Sequence, residues 1–354
     1  MKSRWVALLG YLTVILAAST GAFLICEIVL RLLRPGDNVH TTATLGIYAP
    51  DPELGWVLKP DLRVPRRWAG RTIMIRTDAA GQRIPDVKAS KIGGEQIAFA
   101  GDSYVFGNEV NAEETFVYLL GEALGKASVN LGVGGYNLSQ ECLSLRRFMA
   151  QKTGIAQSFL VMYVGNDIEY GAYSSRTVSV DELGYLRDTP SGRWSEVWRF
   201  AQQHSRFIFY LQTAWRVLSP ARPVAVSPAR RANVGHRWIY DEAAFSRDRL
   251  EPHRRVLAML RDDARRRDTP VSVVLMPEKD QVYGSLSDLP NRMISSMISE
   301  LGMPVIDLLP DMRAAVGVRP PLWHDIAQGH LSPEGHRLVA ETLIGRLGQN
   351  RQME

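Results

Sequence analysis

Five short apolar runs, at 96–100, 127–131, 158–164, 271–276 and 304–307, alternate with stretches of helical periodicity near 115–125, 138–152, 241–267, 289–301 and 333–348. Strands separated by helices are joined by crossovers rather than tight hairpins, and the sheet they form is parallel and covered on both faces. The fold class read from this pattern is α/β. With 354 residues, 45% of them hydrophobic and 22% charged, the chain carries enough apolar material for one such domain with appendages.

In sheets of this kind ligands and catalytic groups gather at the carboxyl ends of the strands, so the residues that follow each run are the ones to compare. The first run ends in Gly101-Asp102-Ser103, which delivers a hydroxyl to a tight turn, although an isolated Gly-Asp-Ser is also an ordinary polar turn. The second ends in Gly132-Val133-Gly134-Gly135-Tyr136-Asn137, where glycines let backbone N–H groups point at a ligand. The third ends in Gly165-Asn166-Asp167, which brings a side-chain amide to the same rim. A serine hydroxyl is a poor nucleophile until a base accepts its proton. His324, His330 and His336 compete for that role. Ser332 reads as a helix N-cap with Pro333 at the first helical position, which sets His330 on the loop just ahead of the helix and His336 inside it; His330 is preferred. Ester hydrolysis through a serine also needs donors aimed at the developing oxyanion, and the N–H of Ser103, the N–H of Gly135 and the side chain of Asn166 are the candidates.

The order Gly101-Asp102-Ser103, Gly135 in a glycine-rich turn, Gly165-Asn166-Asp167, and His330 ahead of Leu331-Ser332-Pro333-Glu334-Gly335-His336 resembles the SGNH/GDSL hydrolase superfamily over roughly residues 95–348. The resemblance implies a flavodoxin-like α/β/α three-layer sandwich, with Ser103 as nucleophile, His330 as base, and Ser103, Gly135 and Asn166 as oxyanion hole. The chain departs from the pattern in two places. Tyr104 stands at the name-giving leucine, and Ala327 stands three residues before the histidine, where the family's acid usually lies. Asp325 is the nearest candidate for the acid that orients the imidazole; a Ser–His dyad oriented by a backbone carbonyl is the alternative. Asp102 shapes the turn and, with Lys279 and Tyr283 after the fourth strand, is a candidate for substrate contact.

Three functions fit these residues: an esterase, if water attacks the acyl-enzyme; an O-acyltransferase acting on an exported polysaccharide, if a sugar hydroxyl attacks it; and a non-catalytic carbohydrate-binding module. The partner is then an acylated small molecule or polysaccharide, and nothing calls for a metal or an organic cofactor. The net charge of +5 comes from arginines scattered among acids, with no zinc-finger or RNA-binding signature, which argues against nucleic acid.

From Trp5 to Cys26 there is no charged residue, and the apolar run continues past Glu27 to Pro35-Gly36. About 20 apolar residues span a bilayer core, whereas the apolar part of a signal peptide is usually about 7–15 residues, so the length favours an uncleaved anchor over a cleaved signal. Lys2 and Arg4 hold that end in the cytoplasm and put the remainder on the periplasmic or extracytoplasmic side. The expected organisation is an anchor at 1–35, a lead-in at 36–94 with a β-hairpin turning at Ala69-Gly70-Arg71, and the hydrolase-like domain at 95–350 with an insertion at about 171–240. Within the insertion, 194–217 reads as an amphipathic stretch suited to a lid or to a membrane surface. The chain has two cysteines, Cys26 and Cys142, and they form no disulfide framework within a domain.

Overall fold

The computed structural model describes residues 2–33, 46–68, 71–86, 94–168, 178–180, 186–188, 205–208, 211, 235–242, 245–284, 286–324 and 330–350. The chain divides into two units: Met1–Thr44 with Thr189–Ala225, and Leu45–Asp188 with Val226–Glu354.

In the larger unit the lead-in forms two antiparallel pairs, β1 (Tyr48–Asp51) with β2 (Gly55–Leu58) and β3 (Arg63–Trp68) with β4 (Arg71–Arg76). The second is the antiparallel pair expected from the sequence, with Trp68 paired to Arg71. The core strands are β5 (Gln96–Gly101), β6 (Ala127–Asn130), β7 (Ile155–Tyr163), β10 (Val271–Met276) and β11 (Val305–Asp307); the short antiparallel pair β8 (Val178–Val180) and β9 (Leu186–Asp188) lies between β7 and β10 in the chain. All core pairings are parallel and the spatial order is β6-β5-β7-β10-β11. Counted along the chain this is 2-1-3-4-5, the flavodoxin-like order, in which the direction of winding reverses beside the first strand.

Side-chain alternation along these strands divides the core into two layers. Ala98, Ala100, Leu160, Met162, Val273 and Leu275 face one cluster, packed under α4 (Leu138–Gln151), α5 (Arg247–Arg266) and α7 (Leu289–Glu300). Ile97, Phe99, Phe159, Val161, Val274 and Met276 face the other, packed under α3 (Phe116–Leu124), α8 (Leu309–Ala315) and α9 (Pro333–Asn350). Helices therefore cover both faces, and the three-layer sandwich follows from the alternation. Local chemistry sets the helix ends. Thr115 caps α3, Asn137 caps α4 within a capping box closed by Gln140, and Ser332 Oγ accepts from the Gly335 N–H at the start of α9. The region expected to be helical from 241 begins instead at Arg247, after its cap Ser246.

The lead-in is a packed part of this unit. Tyr48, Trp56, Leu58 and Ile75 share a third cluster with Phe106, in the helical turn after β5, and with Val133 and Tyr136, in the loop after β6.

In the smaller unit, Lys2–Leu33 forms one helix, α1. Its segment Thr13–Leu33 is long and apolar enough to cross a membrane, a property shared by signal sequences. Glu27 in this helix accepts from Arg31 Nε at 2.7 Å, Ser205 Oγ at 2.9 Å and the Phe207 N–H at 3.0 Å, and the Phe23 and Phe207 rings meet edge to face. Most of the amphipathic stretch 194–217 lies outside the described residues.

Candidate active site

The central strand β5 ends at Gly101, and Asp102 then caps a single helical turn, α2 (Ser103–Phe106). Asp102 Oδ1 accepts the Tyr104 N–H at 2.8 Å and Oδ2 accepts Asn166 Nδ2 at 3.0 Å. The residue is only 1% exposed. With both oxygens engaged inside the fold, Asp102 is an orienting group, which corrects the expectation that it contacts substrate. Its second bond fixes the carboxamide of Asn166 on the loop after β7. Burial pushes the Asp102 carboxyl up, opposed by the hydrogen bonds from Tyr104 and Asn166.

Ser103 Oγ lies 2.9 Å from His330 Nε2. The histidine arrives from the far end of the chain on a loop tied at its base. Trp323 and Leu331 bridge antiparallel, the His324 N–H donates to the His330 carbonyl at 3.1 Å, and the Ser332 N–H donates to the Leu322 carbonyl at 2.8 Å. Tyr283 Oη accepts the Leu322 N–H at 2.8 Å and its ring meets Trp323 edge to face, so Tyr283 braces this loop. Lys279 opens the one-turn helix α6 (Lys279–Val282), and among the described residues it makes no bond to Ser103 or His330. His336 is buried, its Nδ1 accepts the Phe116 N–H at 3.3 Å, and burial, followed by the Arg83 charge, pulls its pKa down to about 3. It is a structural histidine, and His330 alone of the three candidates touches the serine.

On the other side of the imidazole, His330 Nδ1 lies 3.3 Å from Glu109 Oε1, and the Glu109 side chain is 2% exposed. With the Nδ1 proton directed at this carboxylate, Nε2 keeps its lone pair for the Ser103 hydroxyl. Asn108 Nδ2 also approaches Nε2, at 3.2 Å. The proposed acid Asp325 lies outside the described residues. Sequence reasoning missed Glu109 because it sought the acid beside the histidine. Its placement shows only in the fold: one helical turn after Ser103 is stopped at Gly107, and the next two residues, Asn108 and Glu109, are polar yet buried. Glu109 adopts φ 73°, a left-handed conformation uncommon for a non-glycine residue and frequent at functional sites.

The loops after β6 and β7 flank this turn because those strands are the neighbours of β5. Gly132 touches the turn so closely that a Cβ there would stand 2.2 Å from the Phe106 nitrogen, so only glycine fits. Gly135 is exposed, with φ 84°. Its loop is held by Trp56, whose Nε1 donates to the Gly134 carbonyl at 3.2 Å, and by Tyr136, whose hydroxyl donates to the Trp56 carbonyl at 2.5 Å. Tyr104, in the position of the family's leucine, is buried and stacks on Tyr163 at 4.4 Å, so its role is packing.

Beneath Asp102 lie two further buried carboxyls. Asp167 Oδ2 accepts the Tyr163 N–H at 2.6 Å, and Glu141 has no hydrogen-bond partner on either oxygen. Burial first, then the neighbouring negative charges, pushes both well above the ordinary carboxylate range. Among the described residues no three His, Cys, Asp or Glu side chains converge as metal ligands do.

The chain is thus an α/β protein with a doubly wound parallel sheet, and a serine and a histidine are in contact at the carboxyl end of its central strand. Several solved structures are similar to this chain. One is a lipolytic protein of the G-D-S-L family from Veillonella parvula (14% identity over 71% of this chain and 96% of that one, TM-score 0.39). Another is an acetyl xylan esterase (14%, 71% and 98%, TM-score 0.39), and a third is a catalytic mutant of an acetylxylan esterase from Geobacillus stearothermophilus (16%, 72% and 95%, TM-score 0.37). No family model and no curated protein matches the chain. At these scores the likeness carries no argument of its own; the fold rests on the strand order and the site on its distances.

Proposed function

We propose that the chain is a serine-dependent ester hydrolase of the SGNH/GDSL type, acting on acetyl or other acyl esters through an acyl-enzyme on Ser103. The observation that carries this reading is the 2.9 Å contact between Ser103 Oγ and His330 Nε2 at the carboxyl end of the central strand. His330 takes the hydroxyl proton as Oγ attacks the ester carbonyl. The imidazolium formed lies against the Glu109 carboxylate, which holds the ring's tautomer and orientation. The oxyanion is met by the N–H groups of Ser103 and Gly135 and by the Asn166 amide hydrogen not given to Asp102. The tetrahedral intermediate then expels the alcohol, which takes the proton back from His330, and water activated by the same histidine releases the acid.

Transfer to a sugar hydroxyl differs only in the second attacking group, and α1 favours it as an alternative if it is retained as an anchor that holds the enzyme outside the cytoplasm, near exported polysaccharide. One assay separates the readings: the purified chain with a chromogenic acetyl ester, with and without an oligosaccharide acceptor. Free acetate in both arms is the expected result. Acetylated oligosaccharide points to transfer, and no turnover in either arm to a binding role. Ser103→Ala abolishes turnover; an unchanged rate in that variant contradicts the proposal.

A further inference from the structure

The turn that carries Glu109 is not self-supporting. After one helical turn the chain reverses, and the carbonyls of Phe106, Gly107 and Val110 all point inward. A carbonyl cluster of this kind is costly to bury without donors. Besides the Val110 N–H on the Gly107 carbonyl at 3.5 Å, one side chain donates to all three. Arg83 Nη1 donates to the carbonyls of Phe106 and, at 2.6 Å, Gly107, and Nη2 donates to that of Val110 at 2.6 Å. The guanidinium also lies over the Phe106 ring, 4.5 Å from its centroid. Arg83 is 3% exposed, and its backbone bridges to Thr77 and to Asn130 at the end of β6. Asn130 Nδ2 in turn donates to the Val105 carbonyl at 2.8 Å, and its Oδ1 accepts the Gly132 N–H at 2.9 Å. One buried cation and one buried amide thus tie the segment ahead of β5 to the turn with Glu109 and to the glycine loop.

The three carbonyls bracket Asn108 and Glu109, both of which reach His330. Nearby charges agree with this layout: burial pulls the Arg83 guanidinium down to about 9, which leaves it charged at neutral pH, and the largest opposing influence is Glu113. A planar fork that meets three carbonyls at fixed angles is a task for arginine that lysine does not reproduce.

We propose that Arg83 is a positioning residue for catalysis, which clamps the 106–110 turn so that Glu109 stays aimed at His330. The inference rests on the serine hydrolase reading above and extends it: the lead-in is then part of the catalytic apparatus and not a spacer.

The test is a double-mutant cycle on the full chain with Arg83→Lys and Glu109→Gln, singly and together, with Arg83→Met as a second probe of the clamp. Two readouts are taken per folded molecule, with folding judged by near-UV circular dichroism: kcat and KM on a chromogenic acetyl ester, and the rate of Ser103 modification by a fluorophosphonate. In the latter reaction Oγ forms a bond to phosphorus, fluoride leaves, and the hydroxyl proton passes to His330. A misplacement of about 1 Å can cost about 10²-fold in rate. Arg83→Lys therefore lowers kcat and the labelling rate about ten- to a hundredfold with KM nearly unchanged, and adds little further loss once Glu109 is already Gln. A purely structural role predicts additive losses, or a lowered Tm with normal rates per folded molecule; either overturns the role of Arg83 and leaves the hydrolase reading standing. A wild-type chain that neither turns over esters nor takes label at Ser103 overturns both.

Discussion

Glu109 and Glu141 are both glutamates with almost no exposed surface, 2% of the side chain for the first and 0% of the residue for the second, yet their surroundings are opposite. Glu109 faces His330 at 3.3 Å and acts electrostatically on the buried guanidinium of Arg66 on β3. Glu141, in the first turn of α4, faces the carboxyls of Asp167 and Asp102 and is pushed far above the ordinary glutamate range. The first lies against the Nδ1 edge of an imidazole; the second is packed among like charges in a buried site, which favours its neutral form. Burial alone does not mark a functional carboxylate. The sign of the charges packed against it does.

Replacing each carboxyl by its amide sharpens the contrast. The largest effect is expected from Glu109→Gln, which keeps the shape but loses the counter-charge and the preferred tautomer of His330. In a serine triad such a change costs about 10⁴-fold, and steady-state kinetics on a chromogenic acetyl ester should show a fall in kcat of about 10²–10⁴-fold with KM little changed. Asp102→Asn comes next. An asparagine there can accept from Tyr104 or from Asn166 but not both, so the Asn166 carboxamide loses its fixed orientation. The loss in kcat should be smaller than the about 10²–10³-fold of deleting an oxyanion donor outright, and an Asp102→Asn enzyme of full activity would show that Asn166 needs no such support.

Glu141→Gln should give the smallest effect, and it concerns stability. The folded-state carboxyl is raised, so as pH climbs above the ordinary glutamate range the unfolded chain releases a proton that the folded chain retains. Wild-type stability from this group is therefore fully present below the usual glutamate pKa of 4.5 and declines as pH rises toward the raised folded value. Glutamine has no proton to release. Urea midpoints should coincide for the two chains near pH 4 and diverge in favour of Glu141→Gln by pH 8; divergence in favour of wild type would contradict the upward shift at Glu141.

Much of the scaffold was legible in the sequence because its signals are local. Five apolar runs gave five strands within three residues at either end, and the helix starts followed their caps at Thr115, Asn137 and Ser332. The pairing of Ser103 with His330 was legible because each sits at a boundary between a regular element and a loop. Glu109 and Arg83 were not, since their roles arise from the chain reversing after a single helical turn and from an arginine 23 residues before Phe106 donating to its carbonyl. The part played by Tyr283 was hidden for a similar reason: its bond to Leu322 spans 39 residues. Asp102 was legible as a turn former, but its hold on Asn166 depends on β5 and β7 being neighbours.

Which acid serves His330 is reached most directly by one paired measurement: kcat of Glu109→Gln and of Asp325→Ala on the same acetyl ester, each normalised to folded protein. The imidazole has a single Nδ1–H, and Glu109 lies against it. A fall of about 10²–10⁴-fold in Glu109→Gln beside a near wild-type rate in Asp325→Ala is the predicted result. A large loss in Asp325→Ala with Glu109→Gln close to wild type would contradict it.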